Sequence, residues 1–227
     1  MSAVRAARVH ATREQILTAA ERLFAEQGVY AVSNRQVSEA AGQGNNAAVG
    51  YHFGTKADLV RAIVRKHSDQ VELQRARMLA EVEGSTEVRD WAGCLVRPLT
   101  GHLATLGSPT WYARFAEQVR TDPALRKIMT DEALTSPTLR RVVDGLQRCL
   151  PELPAGVRAE RDEMAGQLMA HMCAERERAL AEGRPTARSS WHDAATGLID
   201  AIVAIWTAPA TPPEPEAPEE FKEGISS

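Results

Sequence analysis

Residues 41–59 read AGQGNNAAVGYHFGTKADL, and the fold turns on what this stretch does. Gly42, Gly44 and Gly50, with the adjacent Asn45 and Asn46, precede the aromatic run Tyr51-His52-Phe53. A fresh helix start, Thr55-Lys-Ala-Asp58, follows at once. Two readings fit such a segment: a loop around a small-molecule site, or a short helix built to be inserted into something.

The flanks favour insertion. Upstream, Ser33-Asn-Arg-Gln36 is a capping box and opens a helix of about seven residues with Val37 and Ala40 facing inward. Gly42 supplies a turn, and a second short helix is expected over about Asn45–His52. Two short helices joined by a glycine-containing turn make a helix-turn-helix. Further upstream, Thr12-Arg-Glu-Gln15 reads as another capping box, opening a helix with Ile16, Leu17, Ala20, Leu23 and Phe24 on one face and Gly28 as its stop. Downstream, the helix capped at Thr55 runs through Leu59, Ile63 and Val64 to about Met78.

The composition of the second helix then has a purpose. Asn45, Asn46, Ala47, Ala48 and Gly50 are small or polar, and only Val49 suits a core. Such a helix can come close to base-pair edges, where Asn pairs bidentately with adenine and an alanine methyl meets the thymine methyl. Asn45 and Asn46 also suit a plain turn or cap. Eight residues are too few to be helical alone, so Val49 and Phe53 must anchor the segment on the first helix. Free N–H groups at Thr55 and the charge of Lys56 suit a phosphate. Ser33 and Arg35 begin the supporting helix, where Arg35 is either a phosphate ligand or a solvated cation.

Residues from about 12 to 66, a quarter of the chain, resemble the N-terminal domain of the TetR family of transcriptional regulators. The resemblance rests on ILTAAERLFAEQGVYAVSNRQVSEAAG and NNAAVGYHFGTKADLV, and most specifically on Tyr51-His52-Phe53-Gly54-Thr55-Lys56 with Leu59. The interval from Gly42 to Phe53 is one residue longer than the commonest family spacing. The family pattern implies that Tyr51 faces phosphate or base and that His52 packs near the backbone or touches DNA.

Beyond Gly84 the chain reads as helices throughout: 86–105, one opening at Ser108-Pro109, two with a cap followed by proline at Asp122-Pro123 and Ser136-Pro137, then about 157–181, and one capped by Ser190-Trp-His-Asp193. Trp91, Leu95, Trp111, Tyr112, Phe115 and Met129 either line a pocket or form an ordinary core, and Met164 and Leu168 extend the candidate pocket. Met172, Leu198, Ile202, Ile205 and Trp206 on the last two helices are the expected dimerisation residues. Residues 208–227 hold five Pro and five Glu against one Lys and read as a disordered acidic tail.

Charge divides the chain as the motifs do. Residues 1–67 carry nine Lys+Arg against five Asp+Glu, and residues 68–227 carry eighteen against twenty-five, within an overall −3. A basic end on an acidic body suits a nucleic-acid contact at the N-terminus only. Three widely spaced cysteines point to reduced thiols in the cytoplasm, and the N-terminus lacks the apolar run of a signal peptide. No apolar run reaches the roughly 18 residues of a membrane span. His171-Met172-Cys173 lacks a second ligand pair for a metal, and no catalytic elbow, phosphate loop or paired acidic motif appears.

The expectation is therefore an all-α protein. Residues 1–54 form a three-helix DNA-binding domain, residues 55–207 a helical ligand-binding and dimerisation domain, and 208–227 a tail. The function expected is a ligand-responsive regulator, a homodimer on palindromic double-stranded DNA released by a small, largely apolar effector, with no cofactor and no membrane contact. The rival readings are a constitutive DNA-binding protein and an enzyme on a helical scaffold.

Overall fold

The computed structural model describes residues 2–45 and 47–210; Asn46 and most of the expected tail, residues 211–227, lie outside it. The described residues form ten helices and no strand. They are α1 (Ser2–Gln27), α2 (Asn34–Ala40), α3 (Ala48–Phe53), α4 (Lys56–Val82), α5 (Val88–Thr105), α6 (Tyr112–Thr121), α7 (Pro123–Thr135), α8 (Pro137–Cys149), α9 (Ala155–Ala181) and α10 (Trp191–Thr207).

Local capping chemistry sets several of these boundaries. Ser33 and Thr55 each close a full capping box, with the hydroxyl accepting from the third backbone N–H and Gln36 or Asp58 reaching back. Asp122 accepts from the N–H groups of Ala124 and Leu125, Ser136 from that of Leu139, and Ser190 from that of Asp193.

Several expected boundaries move: α3 begins at Ala48 rather than about Asn45, α4 runs past Met78 to Val82, and the starts of α1 and α6 shift. Helix α1 begins at Ser2, not at Thr12, because Ala3, Ala6, Ala7 and Ala11, with Arg5 and Arg8, are strong helix formers that carry the helix straight through the capping motif. Helix α6 begins at Tyr112, not at Ser108-Pro109. Its cap comes from a distant residue: the Glu177 carboxylate on α9 accepts from the backbone N–H groups of Ala113 and Arg114 at 3.0 Å each and from Arg114 Nε at 3.1 Å. Glu177 is 1% exposed, so these bonds satisfy a carboxylate that burial would otherwise make costly.

A single hydrophobic cluster runs the length of the molecule. Ile16, Leu17, Ala20 and Phe24 of α1 belong to it with Val37, Val49, Leu59 and Ile63. The same cluster continues through Trp91, Leu103, Phe115 and Val142 to Ile199 and Ile202. Helix α4 packs on α1 and α3 at one end and on α5, α7 and α8 at the other. A straight α-helix of 27 residues is about 40 Å long, so α4 carries any tilt from one region to the other.

Candidate nucleic-acid interface and ligand chamber

Helices α1, α2 and α3 form a reading head in which α3 is the presented element. Ala48 and Val49 are buried against the core, whereas Asn45, Ala47, Gly50 and Tyr51 are exposed, Tyr51 by 80%. A Cβ added at Gly50 would meet nothing within 4 Å. The free face is thus small and polar with one aromatic side chain. Asn45 Oδ1 accepts from the N–H of Ala47 at 2.9 Å, so this residue makes the turn that launches α3 from outside the helix. Of the expected contact residues, Ala48 is therefore corrected, since its methyl points into the protein.

Four further expected contacts have other partners. The hydroxyls of Ser33 and Thr55 are engaged in capping, leaving their backbone geometry as the contribution to the head. Lys56 Nζ donates to the carbonyls of Val32 at 2.6 Å and Val29 at 3.0 Å, which fastens the start of α4 to the α1–α2 loop. A phosphate can claim at most its third N–H. Arg35 pairs with Glu39 at 2.8 Å on an exposed helix face, an interaction weak enough to exchange for a phosphate. His52 lies edge-on to Tyr51 at 4.9 Å, and its carbonyl accepts from Arg13, which also stacks on Phe53 at 4.3 Å.

The second site is a cavity of about 700 Å³ walled by α4, α5, α7 and α8, with Tyr112 of α6 and Met169 of α9. Leu95, Tyr112 and Met129 line it as expected from the sequence, joined by Val64, Leu99 and Leu139. Trp91 and Phe115 are instead core, at 2% and 0% exposure, and Trp111 packs on the core without reaching the cavity. Met164 is 48% exposed on the outer surface of α9, and Leu168 lines a separate surface groove. These five are not chamber residues, because helical periodicity cannot say which apolar face meets a cavity.

Two polar groups interrupt the chamber wall: Arg65, Ser68, Asp69 and Glu132, and a cluster around Arg75. Buried Arg75 pairs with Glu72 and donates from Nε to the carbonyl of Cys94 at 3.2 Å. Glu72 also accepts from Ser136 Oγ at 2.6 Å and from Thr138. Burial pushes the Arg75 guanidinium below its ordinary value, and the Glu72 charge opposes that. Each charge in the Arg75 cluster is already partnered, so the remaining lining is what a ligand would meet, and it is mostly apolar.

Behind Tyr112 lies a chain of side chains that sequence reasoning missed. Glu21 of α1 takes a hydrogen bond from His67 Nε2 of α4 at 2.8 Å, and His67 Nδ1 lies 2.7 Å from Nε2 of His102 on α5. The His67 ring stacks on Tyr112 with centroids 3.7 Å apart and planes 13° from parallel. All four residues are buried. Burial, followed by the neighbouring His67, holds the His102 imidazole down to about 4. The partners are 46 and 35 residues apart in sequence, so no local signal announces them.

The expected dimerisation residues divide. Leu198, Ile202 and Trp206 face α5 and α9 within the same chain, at 7%, 2% and 6% exposure. Side chains already buried have nothing further to bury against a second copy, so these three are corrected to core. Ile205 is half-buried and Met172 is 47% exposed. Met164, Leu168 and Met172, spaced four residues apart, form an outward apolar stripe on α9 beside Ala201 of α10.

The TetR-family domain of bacterial regulatory proteins matches residues 16–63, and a tetracyclin repressor-like C-terminal domain matches residues 93–204. The HTH-type transcriptional repressor AcnR of Corynebacterium glutamicum is 31% identical over 146 residues, covering 60% of this chain and 69% of the repressor. The chain belongs to the TetR family. AcnR of Corynebacterium efficiens is also 31% identical, over 123 residues, with 53% of this chain matching 57% of that family member. The crystal structure of the multidrug binding protein EbrR complexed with imidazole overlaps 88% of this chain and 92% of its own at 21% identity and a TM-score of 0.47, too loose to bear on function. No helix among the described residues is long and apolar enough to cross a membrane.

Proposed function

We propose that the protein is a cytoplasmic transcriptional repressor, homodimeric on a palindromic operator and released by a small, largely apolar effector. Residues 1–54 act as the DNA-binding unit and residues 55–207 as the effector and dimerisation unit. The observation that carries this reading is the pairing of an exposed, small-residue face on α3 with a chamber of about 700 Å³, both built on the same helix α4. The family membership and the two AcnR repressors support the DNA-binding part.

On DNA, α3 enters the major groove. Asn45, Asn46, Ala47 and Gly50 meet base edges there, and Tyr51 and His52 lie against base or backbone. Arg35, with the helix starts at Ser33 and Thr55, sits along the phosphates. Two copies place two such helices about 34 Å apart, one turn of DNA, which multiplies specificity. The copies pair through the α9 stripe of Met164, Leu168 and Met172 with the outer face of α10.

The effector displaces the walls that α4 shares with the chamber. Tyr112 is one such wall, and its stack on His67 passes the displacement to Glu21 on α1. Helix α7 is another, since Glu132 holds Arg65 of α4 at 2.8 Å and Met129 faces the chamber. A tilt of α4 then changes the separation of the two α3 helices.

The test is operator selection from randomised duplexes, followed by anisotropy titration with and without candidate apolar compounds. Recovery of a two-fold symmetric site that a chamber ligand releases supports the proposal. A protein that enriches no sequence overturns it.

A further inference from the structure

DNA-binding proteins draw most of their affinity from Lys and Arg placed on phosphates. Residues 1–67 hold nine such cations, and most are already committed. Arg13 holds the His52 carbonyl and Lys56 holds two backbone carbonyls, while Arg35 has only an exposed, exchangeable pair with Glu39. Arg61 and Arg65 pair with Glu132, and Lys66 pairs with Glu14 at 2.8 Å. Arg22 is half-buried. Among the described residues, the exposed cations of this region left with no hydrogen bond or ion pair are Arg5 and Arg8.

Both lie on the part of α1 that precedes the expected start at Thr12. Residues 4–11 are exposed without exception, so this extension is solvated along its length. Its direction follows from the contacts of the rest of α1. Near its C-terminal end, Phe24 stacks on Phe115 of α6 and the Ala25 carbonyl accepts from Gln118 of α6 at 3.1 Å. Eleven residues earlier, Arg13 touches His52 and Phe53 at the end of α3. The axis therefore runs from the body towards the reading helix, and the stretch from Arg13 back to Ser2 continues about 16 Å further at 1.5 Å per residue.

The charge on this extension opposes the needs of the free helix. No acidic residue occurs before Glu14, and cations near a helix N-terminus are unfavourable to the macrodipole. Arg5 and Arg8 are three residues apart and share one face of the helix. A polyanion beside that face relieves both the mutual repulsion and the dipole term.

We infer that residues 2–12 form a second DNA-binding element, which lays Arg5 and Arg8 on phosphates flanking the half-site read by α3. This rests on the proposed DNA-binding function and assigns to the extension a share of the affinity that the committed cations of the head cannot supply. The contact is to backbone phosphate and carries no sequence information of its own.

The experiment compares the full chain with Arg5→Ala/Arg8→Ala and with Arg5→Lys/Arg8→Lys. Each is titrated against an operator selected by the parent, over a range of salt. Two duplexes are used, one with a full turn of flanking DNA and one trimmed to the half-sites. The alanine pair should lower the slope of log affinity against log salt by about 0.9 per phosphate lost, or roughly two per chain, with the same selected sequence. The lysine pair should retain the parental slope. Trimming the flanks should weaken the parent and leave the alanine pair nearly unaffected. The melting temperature should not fall, because neither side chain has a partner. Equal slopes and affinities for parent and alanine pair on the long duplex overturn the inference while leaving the repressor reading intact. A parent that selects no operator overturns both.

Discussion

Replacing His67 with Phe separates the two things this residue does. Phe keeps a ring to stack on Tyr112 and a similar volume, but it removes both nitrogens. Glu21, 7% exposed, then has a carboxylate with no donor, and His102 loses its 2.7 Å partner. Leaving a buried carboxylate without its donor costs about 3–5 kcal/mol. The lost imidazole contact adds about 1 kcal/mol. For a chain of this size, each kcal/mol lowers the melting temperature by about 2–4 °C, so a fall of roughly 8–24 °C is expected at pH 7. Pairing the change with Glu21→Leu removes the orphaned charge and should recover most of the loss, because replacing both members of a buried pair is often neutral. The assay is differential scanning calorimetry of the parent, both singles and the double. A His67→Phe loss below about 1 kcal/mol, or a double variant no better than the single, would refute the buried chain as drawn. The folded double variant should also bind operator normally while responding less to a chamber ligand, since the contact from α4 to α1 is gone.

Three other outcomes follow from the same geometry. His102 is held at about 4 against an ordinary 6.5, so between these values the unfolded chain binds more protons than the folded one. Stability should therefore fall as pH drops from 6.5 towards 4, by about 2 kcal/mol after allowing for screening. His102→Gln, which keeps a polar group opposite His67, should flatten that limb in urea melts. Lys56→Met should lower the melting temperature by several degrees through two lost backbone contacts, yet leave the salt slope of DNA binding nearly unchanged; a slope reduced by about one would restore Lys56 as a phosphate ligand. Met172→Glu should give a folded monomer by sedimentation, whereas Ile202→Asp should unfold the chain, because the first residue is 47% exposed and the second 2%.

How much of this was legible in the sequence depends on how local the cause is. The starts of α2, α4, α7, α8 and α10 are written within four residues each, as a cap and its partner or a cap and a proline. The start of α1 was misread at Thr12, because a capping motif inside a run of good helix formers does not interrupt them. The start of α6 was misplaced because Glu177, 64 residues beyond Ala113, supplies its cap. Helical periodicity placed Leu198, Ile202 and Trp206 on one apolar face, but it cannot tell whether that face meets the same chain or another copy. The same ambiguity left Trp91 and Phe115 open between pocket and core, and burial makes them core. On α3, Ala47 and Ala48 look alike in sequence, and only the packing of the head turns one outward and the other in.

The most direct test of the central claim is ligand binding measured twice, by calorimetry on the dimer alone and on the dimer saturated with operator. A chamber ligand that releases DNA must itself be weakened by DNA, by the same factor, since coupling between two sites is reciprocal. A hundredfold factor corresponds to about 2.7 kcal/mol. The account predicts a weaker ligand on the operator complex, with the difference matching the loss of operator affinity at saturating ligand. Equal ligand affinity in the two states, for a compound whose binding is abolished by substitutions at Tyr112 and Met129, would contradict it.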